Sequence, residues 1–273
     1  MRTVQDNAFG FLGAGHLAEA IVSGLVLSDP SVKSLVYLQD IDPARAQAAK
    51  ARGVEFCATA EELLACCRYI FLTIRPQVYD EVLAHLASVR NGTHCFIAVA
   101  PGKTIAHCKS FLGADAPVIR AMPNTPLLVG QGATALASEP PVSAEELDTI
   151  RSVFSASGLT VDVNEAHFDA VIAVSGSAPA YAYMLASAVT SHAASLGLPK
   201  DIAAALIAQT ILGAGEMLRR SGKSAAQLTR EVSSPGGTTE QAVRALEEQG
   251  FASVVAAAMD ACVRRSIELS AQN

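Results

Sequence analysis

The stretch AFGFLGAGHLAEA, residues 8–20, decides the fold class of this 273-residue chain. It joins a short apolar run to a segment of helical spacing through Gly13 and Gly15, in the pattern G-x-G-x-x-A. A strand before the glycines and a helix after them are the context that a dinucleotide-binding turn requires. The first glycine permits a tight turn, the second lets a pyrophosphate approach the backbone, and Ala18 allows close packing of the helix. A turn that serves packing alone is the alternative.

The region after this stretch alternates between strand-like and helical patterns. Apolar runs typical of buried strands recur at 34–39, 69–74, 95–99 and 118–122. Between the first two, residues 43–52 form an Ala-rich helical pattern that ends at Gly53. Such alternation predicts an α/β fold, a Rossmann-type, doubly wound parallel sheet with helices on both faces.

After residue 163 the patterns are helical throughout. Segments rich in Ala, Leu and Ile cover 166–196, 200–220, 225–232, 239–249 and 251–270. Glycine and proline separate them where helices should stop or start. We therefore expect a dinucleotide-binding Rossmann domain over 1–163 and an all-helical dimerisation and substrate-binding domain over 164–273, whose apolar surface a second subunit covers.

Composition argues against several classes of protein. The net charge is −6 and no basic run exceeds two residues, which argues against nucleic-acid binding. The six cysteines form no CxxC motif and pair with no histidine at metal-ligand spacing, so we expect reduced thiols and no metal site.

No secretory signal is recognisable at the N-terminus. The uncharged stretch 170–199 is long enough to span a bilayer, but it carries several serines and a proline. It is interpreted as a buried helix that crosses a subunit interface. These features predict a cytoplasmic protein without a membrane partner.

Asp40 follows the second apolar run, at the distance beyond the glycines where Rossmann domains carry an acid that accepts hydrogen bonds from the ribose hydroxyls. A carboxylate at that point repels a 2′-phosphate, and no Lys or Arg lies nearby before Arg45. Asp40 therefore favours NADH over NADPH. Capping of the next helix is the alternative role, although Asp42 suits it better.

Loops that follow the other strands should also line the cofactor, because ligands of open α/β sheets lie outside the carboxyl ends of the strands. Three such loops contain Arg75-Pro76, Ala100-Pro101-Gly102 and Asn124-Thr125. Prolines on both sides of Asn124-Thr125 suit a fixed polar contact with a ligand. A structural turn is the alternative there.

The joint VSSPGGTTEQ, residues 232–241, interrupts the helical half of the chain. Thr238 and Gln241 fit a capping box, which predicts a helix from about Thr239. Ahead of it, Gly236 and Gly237 have amides that no side chain hides. Exposed amides at the positive end of a helix can hold a small carboxylate without a cation. A simple helix cap explains the same residues.

Four motifs together resemble those of the Δ1-pyrroline-5-carboxylate reductase family. They are GFLGAG, VIRAMPNTP, VSGSAPAY and EVSSPGGTTEQAVRALEEQGF, in this order over nearly the whole chain, and the last is the most specific. The resemblance implies a Rossmann domain followed by a helical dimerisation domain, in homodimers that build rings of dimers. It also implies hydride transfer from NADH or NADPH to the C=N carbon of a cyclic imine carboxylate, which yields L-proline.

The resemblance also implies roles for individual residues. Thr239 would bond to the ring nitrogen as the catalytic residue, and the substrate carboxylate would be held by Ser234, Gly236, Gly237 and Thr238. The cofactor would be held by Leu12, Gly13, Ala14, Gly15, His16, Leu17, Thr73, Ile74, Arg75, Pro76, Val99, Ala100 and Pro101. Asp40 and Asn124, assigned above from their positions after the strands, complete the set.

Some positions depart from the family pattern, among them Asp40 and Ile41, where small or basic residues are frequent; these bear on the choice of cofactor. No His, Lys or Glu near the Pro-Gly-Gly loop is an obvious acid, and Glu240 is expected to complement the helix dipole.

Two other functions stay open. One is reduction of a related imine, piperideine or pyrroline-2-carboxylate. The other is a non-catalytic dinucleotide-binding regulatory protein.

Overall fold

The computed structural model describes residues 4–271 of the chain. Its strands are β1 Gln5–Leu12, β2 Val36–Gln39, β3 Glu55–Cys57, β4 Cys67–Leu72, β5 Cys95–Ala98, β6 Val118–Met122, β7 Gly132–Ser138 and β8 Gly158–Asp162. Its α-helices are α1 His16–Ser28, α2 Ala44–Arg52, α3 Ala60–Leu64, α4 Tyr79–Val89, α5 Ile105–Leu112, α6 Ala144–Ser155, α7 Phe168–Val171, α8 Ala178–Ser195, α9 Lys200–Arg220, α10 Ala225–Val232, α11 Thr238–Glu248 and α12 Phe251–Ala271.

The strands form one sheet in the order β3-β2-β1-β4-β5-β6-β7-β8. From β3 to β6 all neighbours are parallel, so their carboxyl ends lie along one edge. Strands β1, β2 and β3 follow one another toward one edge of the sheet, and β4, β5 and β6 follow one another toward the opposite edge. The reversal lies between β1 and β4, where a doubly wound sheet opens a crevice for ligands.

Apolar side chains fill both faces of the sheet. One buried cluster includes Phe11, Phe71 and Phe154, and the other includes Leu63, Leu83 and Phe96. The rings of Phe11 on β1 and Phe71 on β4 stack with their centroids 4.5 Å apart. This contact joins β1 and β4, the two strands between which the sheet reverses.

The predicted fold class is confirmed, with differences in the sheet. Strand β6 and helices α9 and α10 have the predicted bounds, whereas β3, β7 and β8 were missed. Strand β7 is antiparallel to β6, so the expectation of a parallel sheet was wrong at this edge. The missed strands are short or poor in branched apolar residues, and pairing with neighbouring strands decides their structure.

The first long helical pattern is not one helix. A short α7 passes into a π-helical stretch, Ile172–Gly176, before α8 begins with Pro179 in its first turn. In the single chain α8 has no buried residue, so its burial at a subunit interface stays a prediction. Two helical stretches, Glu165–Ser195 and Lys200–Arg220, are long and apolar enough to cross a membrane by length and composition.

The chain divides into two compact units. One reaches from the N-terminal strands to Gly176 and includes the last helix from Cys262 onward, and the other spans Ser177–Ala261. The sheet lies in the first unit, and helices α8–α11 lie in the second. The domain boundary at 163/164 falls just after β8 and stays a prediction.

Candidate active site

The glycine turn closes the crevice at the carboxyl end of β1. Gly13 has φ +94°, and a Cβ there would lie 2.6 Å from the Thr73 carbonyl oxygen, so only glycine fits. A Cβ on Gly15 would meet no atom within 4 Å, which leaves open space above the turn. No side chain caps α1, so the amides of its first turn are available to an anion. These features fit the pyrophosphate of a dinucleotide.

Thr73 joins the loop after β4 to the glycine turn. Its hydroxyl lies 2.9 Å from the carbonyl oxygen of Leu12 and 2.7 Å from that of Gly13. The bond is shared, because one hydroxyl has one proton to donate. Thr73, predicted among the cofactor-binding residues, therefore holds two strands together at the point where the sheet reverses.

Asp40 lies beside the same turn. Its Oδ2 accepts a hydrogen bond from the Ala14 amide at 2.7 Å, and its Oδ1 accepts one from the Asp42 amide at 2.9 Å. Helix capping was the alternative role for Asp40, but it is the Asp42 carboxylate that bonds to the amide of Ala44. Asp40 is thus a fixed negative charge at the mouth of the crevice.

The other predicted cofactor residues lie at the ends of β1, β4 and β5 or in the segments that follow these strands. Leu12, Ala14, Val99 and Ala100 are buried, so their backbone groups are what they can offer a ligand. The side chains that reach solvent are those of His16, Arg75, Pro76 and Pro101, with Leu17 and Ile74 half-buried. Their contacts with a cofactor stay a prediction.

Asn124 has both ends of its side-chain amide engaged. Its Nδ2 donates to the Ser175 carbonyl at 3.1 Å, and its Oδ1 accepts from the Ala133 amide at 2.8 Å. These contacts tie the loop after β6 to β7 and to the π-helical stretch. The structural role, which was the alternative for this loop, is therefore present, and contact with the cofactor stays a prediction.

A polar cluster that the sequence did not indicate joins two of the loops. Lys103, which is 7% exposed, donates to Asp80 Oδ1 at 2.6 Å, and His107 Nε2 lies 2.8 Å from the same oxygen. The Lys103 hydrogen bond, aided by His107, lowers the pKa of the Asp80 carboxyl although desolvation opposes it. Asp80 lies in the first turn of α4, after the Thr73 loop, and Lys103 follows β5, so this cluster links the two loops.

A second polar contact lies where the loop after β5 enters α5. Glu165 Oε1 accepts from the Ile105 amide at 2.8 Å and from buried Arg120 at 3.0 Å. The Arg120 guanidinium also lies 4.5 Å from the centre of the Phe168 ring. Neither contact was predicted, because the partners are 45 or more residues apart in sequence and follow no motif.

The Pro-Gly-Gly loop, residues 233–237, joins α10 to α11 in the second unit. Gly236 has φ +71°, and the Gly237 amide donates to the Ser234 carbonyl at 2.9 Å, which closes a tight turn. Helix α11 begins at Thr238 with Gly237 as its N-cap, and no side chain caps it. The predicted capping box of Thr238 and Gln241 was therefore wrong.

The two glycine amides, which were predicted to be open to a ligand, both donate hydrogen bonds within the protein. The Gly237 amide is used within the turn, and the Gly236 amide donates to Glu240 Oε2 at 2.8 Å. An anion thus already lies at this loop, although it belongs to the protein. The first-turn amides of α11 and the exposed Ser234 and Thr238 side chains are the groups left for a ligand.

Comparison with known proteins matches both halves of the chain. Residues 165–269 match the family model described as pyrroline-5-carboxylate reductase dimerisation. Residues 8–110 match the model described as NADP oxidoreductase, coenzyme F420-dependent. The chain is 35% identical to the pyrroline-5-carboxylate reductase of Pseudomonas aeruginosa, with 96% of each chain covered. It is 32% identical to that of Escherichia coli, over 97% of this chain and 99% of the relative.

Solved structures agree with the sequence comparison. A pyrroline-5-carboxylate reductase from Coxiella burnetii superposes with a TM-score of 0.91 at 31% identity, over 97% of this chain and 99% of that one. The fold is also that of the Plasmodium falciparum pyrroline carboxylate reductase, solved with NADP bound, at a TM-score of 0.87, 24% identity and coverage of 98% and 99%. The chain belongs to the pyrroline-5-carboxylate reductase family.

Proposed function

We propose that this enzyme reduces 1-pyrroline-5-carboxylate to L-proline with NADH or NADPH. The observation that carries the proposal is the Pro-Gly-Gly loop at the uncapped start of α11, in a chain that also has the glycine turn of a dinucleotide site. The substrate needs both features, because it carries one carboxylate to be held and one C=N bond to be reduced. A binding protein without turnover would need only the glycine turn.

The residues of the first unit hold and orient the cofactor. The open space above Gly15 and the first turn of α1 would hold the pyrophosphate, and Asp40 would accept hydrogen bonds from the ribose of the adenosine. When bound, the reduced nicotinamide supplies the hydride. The fixed charge of Asp40 supports a preference for NADH over NADPH, because a 2′-phosphate would be repelled.

The residues of the Pro-Gly-Gly loop hold the substrate. The first-turn amides of α11 and the hydroxyls of Ser234 and Thr238 bind the carboxylate, and the Thr239 hydroxyl bonds to the ring nitrogen. No Lys or His lies in residues 231–243, so the nitrogen acquires its proton before binding, as an iminium, or from water. The loop contributes position and electrostatics, which can supply much of the rate by fixing the reacting carbon.

We propose that the helical region forms the interface of a homodimer, from which rings of dimers can be built. Large apolar side chains of α8 and α9 are exposed in the single chain, among them Met184 at 71% and Leu206 at 58%. Such surfaces are covered in the stable form of a protein. A second copy, not lipid, is the proposed cover of both apolar helices, and the protein is accordingly placed in the cytoplasm.

The assay is oxidation of NADH or NADPH by the purified protein with pyrroline-5-carboxylate. We expect turnover, and a higher rate with the five-membered imine than with piperideine or pyrroline-2-carboxylate. A higher rate with one of the two other imines would reassign the substrate. Cofactor binding without turnover on any of the three would contradict the enzymatic function.

A further inference from the structure

We propose that Glu240 is a resident carboxylate that competes with the carboxylate of the substrate for the Pro-Gly-Gly loop. This inference rests on the proposed function of the loop. Glu240 would then be a residue that sets affinity, and its removal should tighten the binding of carboxylate ligands.

The contact between Glu240 and Gly236 is the first observation. The Gly236 amide donates to Glu240 Oε2 at 2.8 Å, four residues further along the chain. The left-handed backbone of Gly236, at φ +71°, turns this amide toward the start of α11. A carboxylate is the group that such an amide and the positive end of a helix prefer, and here the protein provides it.

The charge around the loop is the second observation. Between Arg230 and Arg244 the sequence contains no Lys or Arg. Arg244 donates to Gln241 at 2.6 Å and pairs with Glu248 at 3.6 Å, so its charge is engaged further along α11. In the part of the chain that the structure describes, Glu240 forms no ion pair. The contact given for the Glu240 carboxylate is therefore a hydrogen bond from an amide and not an ion pair.

An incoming carboxylate meets this charge in either of two ways. If it bonds to the Gly236 amide, it must displace Glu240. If it bonds to the first-turn amides of α11, it lies beside Glu240 and is repelled. Both routes weaken binding. If Glu240 only stabilised the start of the helix, its removal would have the opposite effect. The loop would become less ordered, and the carboxylate ligand would bind more weakly.

The experiment measures binding of L-proline and of pyrrolidine by calorimetry to the full chain in the presence of NADH, which does not react with proline. Pyrrolidine has the same ring without the carboxylate. We expect Glu240→Gln and Glu240→Ala to tighten proline binding three- to tenfold and to leave pyrrolidine binding unchanged. Glu247→Gln removes the same charge from a distant turn of α11 and should change neither.

Steady-state kinetics provide a second measure, with KM for pyrroline-5-carboxylate lowered and kcat unchanged in both Glu240 variants. Proline binding that is unchanged or weaker in both variants would overturn the proposal, and so would equal tightening of pyrrolidine. Failure of the proposed function is visible separately, as absence of pyrroline-5-carboxylate reduction by the unmutated enzyme. Thermal unfolding of the variants shows that the fold is retained.

Discussion

The Asp40 carboxylate accepts a hydrogen bond from the Ala14 amide over 2.7 Å, which fixes a negative charge beside the glycine turn. A second bond, from the Asp42 amide, holds the other oxygen, so the carboxylate cannot easily rotate away. If a dinucleotide binds at this turn as proposed, its adenosine ribose would lie near that charge. The proposed role of Asp40 in the choice between NADH and NADPH rests on this placement.

We expect kcat/KM to be higher with NADH than with NADPH, and the ratio to fall about tenfold or more in Asp40→Ser. Two like charges about 4 Å apart repel by about 1 kcal/mol in water and about 4 kcal/mol at the effective dielectric constant of a protein surface. Asp42→Ser removes a neighbouring charge that accepts a hydrogen bond from the first amide of α2 and should change the ratio little. Equal or better use of NADPH by the unmutated enzyme would contradict the role of Asp40.

Thr73→Val should weaken cofactor binding several-fold and destabilise the first unit. The variant keeps the side-chain shape but leaves the carbonyls of Leu12 and Gly13 without their hydroxyl donor, at a cost of about 1–3 kcal/mol. Thr73→Ser retains the donor and serves as the control. Fluorescence titration with NADH and urea unfolding measure the two effects. Equal behaviour of the two variants would show that the hydroxyl is not what holds the turn.

Thr239→Ala should lower kcat/KM for pyrroline-5-carboxylate by roughly ten- to a hundredfold, because a lost hydrogen bond to a charged group costs about 1.5–3 kcal/mol. Thr239 is half-buried in the first turn of α11. Thr239→Ser keeps the hydroxyl and should recover most of the activity. Kinetics like those of the unmutated enzyme in Thr239→Ala would remove Thr239 from the mechanism.

The parts of the site that the sequence predicted are those fixed by local backbone geometry. The glycine turn follows from residues within one strand–helix unit, because a positive φ at Gly13 leaves few side chains that fit. The bounds of α9 and α10 likewise follow from local propensity and from the residues that punctuate them. Asp40 was predicted to lie near this turn because the second strand of a Rossmann fold ends beside the first.

The parts that the sequence did not predict depend on distant partners. The Glu165 contacts with Arg120 and with the Ile105 amide join residues 45 and 60 positions apart, and no motif marks them. The capping box failed for a different reason. Thr238 and Gln241 have the right spacing, but the turn closed by Gly237 starts the helix one residue earlier.

Asp80→Asn should lower the free energy of unfolding by about 1–2 kcal/mol at neutral pH, since Lys103 is buried and loses a charged acceptor. The pKa of Asp80 is lowered by the Lys103 hydrogen bond, so its stabilisation is present above the ordinary value of 3.8 and is lost as the pH falls through the lowered pKa. The difference in the free energy of unfolding between Asp80→Asn and the unmutated protein should therefore become smaller below about pH 4.

Urea unfolding at several pH values checks this prediction. Asp115→Asn is a matched control, because Asp115 also pairs with a cation but is 73% exposed. Ion pairs exposed to solvent contribute about 0–1 kcal/mol to the free energy of unfolding. The free energy of unfolding of Asp115→Asn should therefore be close to that of the unmutated protein. A stability difference for Asp80→Asn that does not change with pH would assign the effect to packing.

The double variant Ile202→Glu/Leu206→Glu should dissociate the oligomer. The two side chains lie four residues apart on α9, hence on one helix face, and are 46% and 58% exposed in the single chain. If a second copy covers this face, two buried carboxylates would oppose association strongly. Leu27→Glu makes the same chemical change at a side chain that is 84% exposed on α1, and should leave the assembly intact.

Sedimentation should show a multiple of 28.3 kDa for the unmutated protein and for Leu27→Glu, and 28.3 kDa for the double variant. A mass of one chain for the unmutated protein would contradict the homodimer. The apolar faces of α8 and α9 would then have to be covered by a partner other than a second copy.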